Sequence, residues 1–107
     1  MTVGESGLGS GGTPQEQDVP KVTLTVTHEA GLHARPAALF VEMCNRFRSD
    51  ITVASAGRSV NGKSILGVLT LGVHKGGVIT VSAGGDDAEV ALEHLQRLVE
   101  SDFEVTA

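Results

Sequence analysis

The sequence predicts an α+β fold, an open-faced β-sandwich in which a four-stranded antiparallel sheet is covered on one face by three helices in the order β-α-β-β-α-β-α. Three observations carry this expectation. Four short stretches read as strands, the first alternating cleanly, with Val22, Leu24 and Val26 on one side and Thr23, Thr25 and Thr27 on the other. Three further stretches carry apolar residues at helical spacing. Strands with one apolar and one Thr- or Ser-rich face belong to antiparallel sheets whose helices lie on the apolar side only.

Taken in order, residues 1–19 hold five of the 14 glycines, few apolar residues and no periodicity. Such a composition does not repay its ordering entropy, so a flexible tail is expected before a domain at 20–107. The first strand runs from Lys21 to Thr27, and His28-Glu29-Ala30-Gly31 forms the loop that follows. From Ala34 to about Phe47 the positions Ala37, Phe40, Val41, Cys44 and Phe47 form a helical stripe, with Leu39 and Met43 outside it as apolar surface. Asp50 opens a second strand carrying Ile51, Val53 and Ser55, and Ala56-Gly57 turns it into a short partner, Arg58 to Asn61. Ser64 is placed to cap a short helix from Ile65 to about Leu71. Gly72 and Gly76-Gly77 bracket a loop, Val78 to Ala83 reads as the last strand, and Asp86, Asp87 and Glu89 suit the positive start of the last helix. Its stripe of Ala88, Ala91, Leu92, Leu95, Leu98 and Val99 is strongly amphipathic.

Composition excludes several roles. The chain has 107 residues, enough for one ordinary domain, and 40% of them are hydrophobic. With three Phe, no Trp and no Tyr, it has no aromatic platform for stacking single-stranded nucleic acid. One cysteine makes no internal disulfide, which fits a reducing compartment. No apolar run reaches the roughly 20 residues a bilayer span requires, and no signal-peptide pattern opens the chain, so a cytoplasmic protein is expected. The net charge of −5 is unevenly spread: residues 21–85 carry seven basic and three acidic side chains, residues 86–107 one basic and seven acidic. A mildly cationic middle suits an anionic ligand or an acidic protein partner and is too sparse for nucleic acid.

The stretch that carries chemistry is Gly31-Leu32-His33-Ala34-Arg35-Pro36-Ala37. Pro36 in the first turn sets φ for helix entry and gives up an N–H that has no partner there. Gly31 permits a sharp turn into that entry. The free N–H groups of a helix start form an anion site, here the backbone of Ala34 and Arg35, with the Arg35 guanidinium as a second donor. Free imidazole has a pKa of about 6.5, so a neutral, nucleophilic His33 is available near pH 7. Phosphoryl chemistry follows as the expectation. His28, His74 and His94 show no metal-ligand grouping and read as surface or loop residues. Cys44, on the apolar stripe with no His beside it, reads as core. No phosphate-binding loop of the G-x-x-x-x-G-K-[ST] kind is present, and neither a metal nor another cofactor is implied.

This stretch resembles the phosphohistidine signature of the HPr family, the histidine phosphocarriers of the bacterial phosphoenolpyruvate-dependent sugar phosphotransferase system. A second stretch, Val60-Asn61-Gly62-Lys63-Ser64-Ile65-Leu66-Gly67, is similar to the regulatory serine motif of that family, and Ser64 lies 31 positions after His33. The resemblance spans about residues 20–103. It implies that His33 accepts a phosphoryl group on Nδ1 from phospho-enzyme I and passes it to IIA domains of sugar permeases, with Arg35 sharing the phosphate charge. It implies a carrier rather than an enzyme; docking is expected through Ala34, Arg35, Ala38, Ile65, Leu66 and Leu69, and a carrier that docks alternately is most simply a monomer. It also implies that Ser64 is a substrate for an HPr kinase, with a transcriptional regulator as a further partner. A phosphate there adds a charge of about −1.5 to −2 beside Ile65, Leu66 and Leu69. Ala30 departs from the family pattern, standing where many members carry a polar residue that helps hold the phosphoryl group, and lysines are sparse on the binding helices.

Three alternatives stay open at this point. The same chemistry could serve a nitrogen-related or dihydroxyacetone-kinase circuit. A regulatory binding module acting through Ser64 would have no use for His33. A hydrolase with His33 as base lacks a recognisable nucleophile–base–orienter set.

Overall fold

The computed structural model describes residues 19–104. The tail expected at 1–19 lies, apart from Val19, outside the described residues, as do the last three residues of the chain. Seven elements follow in the expected order: β1 (Lys21–Thr25), α1 (Ala34–Cys44), β2 (Asp50–Ser55), β3 (Arg58–Asn61), α2 (Ile65–Thr70), β4 (Val78–Gly84) and α3 (Ala88–Glu100).

The strands form one sheet in the order β1-β4-β2-β3, every neighbouring pair antiparallel. Val22 stands opposite Val81 and Val81 opposite Val53, so one transverse row of β-branched residues crosses the three longer strands. Ile51, Val53, Ile79, Val81, Ala83 and Leu24 face inward and are buried. The other face carries Thr23 and Thr80 side by side, their hydroxyls 3.4 Å apart. The β2–β3 connection is a two-residue hairpin closed by Ser55 opposite Arg58, with Ala56 at φ +52 and Gly57 at φ +82. Positive φ at both central residues matches the right-handed twist of the strands.

All three helices press their stripes onto the inner face. Ala37, Phe40 and Cys44 enter the core from α1, Val68 from α2, and Ala91, Leu95 and Val99 from α3, while Leu32, Val73 and Phe103 seal it from the loops.

Three element ends fall short of the sequence reading, and one expected surface is covered. β1 stops at Thr25, two residues early, because Val26 turns to pair with the loop before β4, donating to Gly77 O at 2.8 Å and accepting from Gly76 N at 2.7 Å. α1 stops at Cys44 rather than Phe47 because Asn45 terminates it. The Asn45 side-chain amide donates to Val41 O at 2.9 Å and to Lys63 O at 3.2 Å, drawing the chain toward the segment before α2. α2 ends at Thr70, one residue short of Leu71. Leu39 and Met43, expected as apolar surface, are partly buried against the core because α3 packs alongside α1.

Candidate functional site

The site is built where the loop after β1 meets α1. Gly31 adopts φ +67, and a Cβ there would fall 2.4 Å from Val73 O, so only glycine lets this loop lie on the segment before β4. Leu32 then donates its N–H to Val73 O at 2.8 Å while its side chain is fully buried. The backbone leading to His33 is thus pinned from two sides.

His33 is the N-cap of α1, in extended backbone at φ −133, and its side chain makes no capping bond. The next residue, Ala34, sits at φ +50, a left-handed conformation that costs a non-glycine residue about 1–2 kcal/mol. The first helical bond runs from Ala37 N to His33 O at 3.3 Å, and Pro36 has no N–H to offer. The N–H groups of Ala34 and Arg35 are therefore the first-turn donors left without a backbone acceptor.

The His33 ring is half-buried, and its Nε2 is fully buried with no hydrogen-bond partner. Its neighbour is the ring of His74, 5.6 Å away between centroids and tilted by 39°. Arg35 is exposed and lines a shallow cavity of about 210 Å³ with His28, Ala30, Ala34, Leu39 and Phe103. One wall of that cavity is held by His28, whose Nδ1 accepts from Ala30 N at 3.0 Å and whose ring meets Phe103 edge-on at 5.9 Å. Lys75 and Glu29 form an exposed ion pair at 3.5 Å between the two loops, a contact of small energetic weight.

The second motif sits at the head of α2. The Ser64 hydroxyl accepts from Gly67 N at 3.1 Å, so the expected N-cap is present. Behind it, Lys63 donates from Nζ to Phe47 O at 2.8 Å. Of the expected docking residues, Ala34, Arg35 and Ala38 are exposed on α1, and Ile65 and Leu66 are 39% and 72% exposed on α2. Leu69 is partly buried and packs against the core.

Cys44 is buried, as expected from its stripe. Burial pushes its thiol up to about 12, against a smaller opposing effect of the Lys63 charge. His94 packs its ring on Phe47 at 5.4 Å, and its Nδ1 lies 2.9 Å from Val90 O, so it is a helix-surface packing residue. Among the described residues no three His, Cys, Asp or Glu side chains are grouped as metal ligands, and no helix is long and apolar enough to cross a membrane.

The residue that sequence reasoning missed is His74. It is an exposed loop histidine, as expected, and the fold sets it against His33 across a gap of 41 positions. Its only local signal is the surrounding Gly72 and Gly76-Gly77, which mark a tight loop without saying where the loop lies.

Comparison with known proteins agrees with this geometry. The family described as PTS-HPr, PTS HPr component phosphorylation site, matches residues 20–101. A phosphocarrier protein HPr of Vibrio cholerae is 49% identical over 75 residues, covering 70% of this chain and 88% of the relative. The crystal structure of HPr-C-His from Thermoanaerobacter tengcongensis superposes with a TM-score of 0.79 at 45% identity, over 82% of this chain and 99% of that one. The Bacillus subtilis protein Crh, solved as a swapped-domain dimer, is similar with a TM-score of 0.63 at 43% identity, over 77% of this chain and 94% of that one. With its four-stranded sheet, its three helices and a match across nearly the whole described fold, the chain belongs to the HPr family of phosphocarriers of the phosphotransferase system.

Proposed function

We propose that this chain relays a phosphoryl group, His33 Nδ1 accepting it from phospho-enzyme I and releasing it to IIA domains. The observation that carries the reading is the state of the His33 ring: Nε2 is buried, which leaves Nδ1 as the nitrogen able to meet an incoming group, at a helix start with two unpaired N–H donors. In the transfer the Nδ1 lone pair forms the new N–P bond as the donor's bond to phosphorus breaks, and the donor atom keeps that electron pair. Charge on the phosphoryl oxygens is met by the N–H groups of Ala34 and Arg35 and by the Arg35 guanidinium. These donors are few and Arg35 is exposed, so the group is held without being trapped.

Docking falls to Ala34, Arg35 and Ala38 of α1 together with the exposed Ile65 and Leu66 of α2, a helix that packs against α1. An apolar patch beside cationic groups fits a transient, acidic partner surface. Phosphorylation of Ser64 would place a double negative charge beside Leu66 and disturb the bond to Gly67 N, opposing that docking. The working unit is a cytoplasmic monomer of residues 20–107 that alternates between partners.

Labelling with radioactive phosphoenolpyruvate and enzyme I tests the reading. Acid-labile, base-stable label should appear on the wild type and vanish in His33→Ala; equal label on both proteins would refute it. Repeating the assay with enzyme I types of sugar and nitrogen circuits separates the circuits by rate. ATP-dependent, acid-stable label lost in Ser64→Ala establishes the regulatory arm.

A further inference from the structure

We propose that His74 is a positioning residue for His33: it accepts a hydrogen bond from His33 Nε2–H and so holds that ring in the tautomer whose Nδ1 lone pair is free. The inference rests on the reading of His33 as the phosphoryl acceptor. Three observations converge on it. His33 Nε2 is buried without a hydrogen-bond partner, and a buried polar atom left in that state is costly, so a nearby group that can pair with it is favoured. The one other imidazole in contact among the described residues is His74, its ring centre 5.6 Å from that of His33 and its plane tilted by 39°, so the two rings are neighbours although no hydrogen bond joins them in this conformation. His74 is solvent-exposed, and no hydrogen bond holds its ring in the present orientation.

The backbone beneath His74 is held, which makes the juxtaposition a property of the fold. His74 O accepts from Gly77 N at 2.8 Å, Val73 O accepts from Leu32 N at 2.8 Å, and Gly31 lies so close that a Cβ there would come within 2.8 Å of His74 Cα. The loops carrying the two histidines are therefore one packed unit.

The chemistry explains what such a partner does. A neutral imidazole has one protonated nitrogen, and only the other is nucleophilic. If the proton rests on Nδ1, the accessible nitrogen cannot attack. A neutral His74 nitrogen facing Nε2 favours the proton there. As the Nδ1–P bond forms, positive charge develops on the ring, and the Nε2–H bond to His74 strengthens while the proton stays on Nε2. When the group leaves for the next partner the sequence reverses, so no net proton is consumed. Ala30 offers no polar side chain at the site, and His74 supplies a helper from the opposite loop.

The test uses the full chain, labelled with nitrogen-15, at mildly alkaline pH where free imidazoles are neutral. Long-range proton–nitrogen spectra report which ring nitrogen of His33 carries the proton. The wild type should show the Nε2–H tautomer with slowed exchange of that proton. His74→Ala should give a tautomer mixture and faster exchange. Phosphoryl acceptance should slow by about tenfold, the lower end of what loss of the partner on a metal-bound histidine's far nitrogen costs. His74→Gln, which keeps a side-chain acceptor, should restore both readouts in part. An identical His33 tautomer in wild type and His74→Ala would overturn the proposal, as would a rate that Gln does not restore. Absence of phosphoryl transfer in the wild type would instead refute the acceptor role of His33, because the tautomer comparison is read without any transfer.

Discussion

The two ends of α1 are built on opposite principles. At its start, two N–H groups lack acceptors, Ala34 is held at φ +50 and the His33 Nε2 is buried without a partner. About 16 Å away, at 1.5 Å per residue over its 11 residues, the other end is closed on every side. There Asn45 caps Val41 O, Lys63 Nζ reaches Phe47 O, and the Asp87 carboxylate accepts from Arg48 N at 2.9 Å, Ser49 N at 3.0 Å and Ser49 Oγ at 2.5 Å. One end keeps its polar groups available for a visitor, and the other spends them on its own fold. The contrast teaches that stability and readiness to bind are divided along a single helix, with the satisfied end supporting the unsatisfied one.

Breaking the open end should affect transfer and leave stability almost untouched. Arg35→Ala is expected to slow phosphoryl acceptance by about 10- to 100-fold, at or below the usual range for a lost charge-stabilising donor because Arg35 is exposed. Its melting temperature should stay within the small spread of ordinary surface substitutions. Rapid-quench labelling beside calorimetry checks both halves, and a large loss of stability would contradict the division.

Breaking the closed end should do the reverse. Ser49, buried at 1% exposure, loses a hydroxyl bond to a carboxylate in Ser49→Ala, at a cost of about 1–3 kcal/mol. At about 4–8 °C per kcal/mol for a domain of this size, thermal melts read that change directly. Acceptance rates at 25 °C should be unchanged.

A smaller effect sharpens the comparison from the strained side. Ala34→Gly removes the left-handed penalty and adds back glycine's entropy cost, for a net gain of about 0.5–1 kcal/mol. Denaturant titration at constant slope measures it. A loss of stability would mean that Ala34 is not strained.

The smallest effect is a pH signature of Asp87. Hydrogen bonds from the Ser49 side chain, then from Arg48 and Ser49 backbone, hold its carboxyl below the usual carboxylate range. A carboxyl whose pKa is lower in the fold than in the unfolded chain stabilises the fold above the unfolded value, near 3.9, and loses that contribution as pH falls through the folded value. The stability gap between wild type and Asp87→Asn should therefore be constant from about pH 7 to 5 and shrink below about pH 4. Melting curves across that range check the sign.

Asp87 also marks where sequence reading and structure part. Its placement at the start of the last helix was legible as a dipole-compensating acid. Instead of bonding its own helix, its carboxylate turns sideways to bridge the segment after α1, a contact 38 positions distant for Ser49. Ser64 shows the other outcome: an N-cap is a contact three residues long, and it is present as expected. One helix's periodicity does not say how wide its covered face is, so it leaves Leu39 and Met43 as apolar surface where the structure partly buries them. That width is set by the neighbouring helices, which narrow what α1 and α2 leave exposed.

By itself the sequence determined the number and order of the elements, the one-sided core, and the His33, Arg35 and Ser64 motifs, because alternation, helical spacing, turns and caps are local. The tertiary structure alone decided the strand order β1-β4-β2-β3, the sideways bond of Asp87 and the meeting of His74 with His33. Each of these is a contact between residues far apart in the chain, and such contacts depend on how the apolar faces close together, which no local pattern encodes.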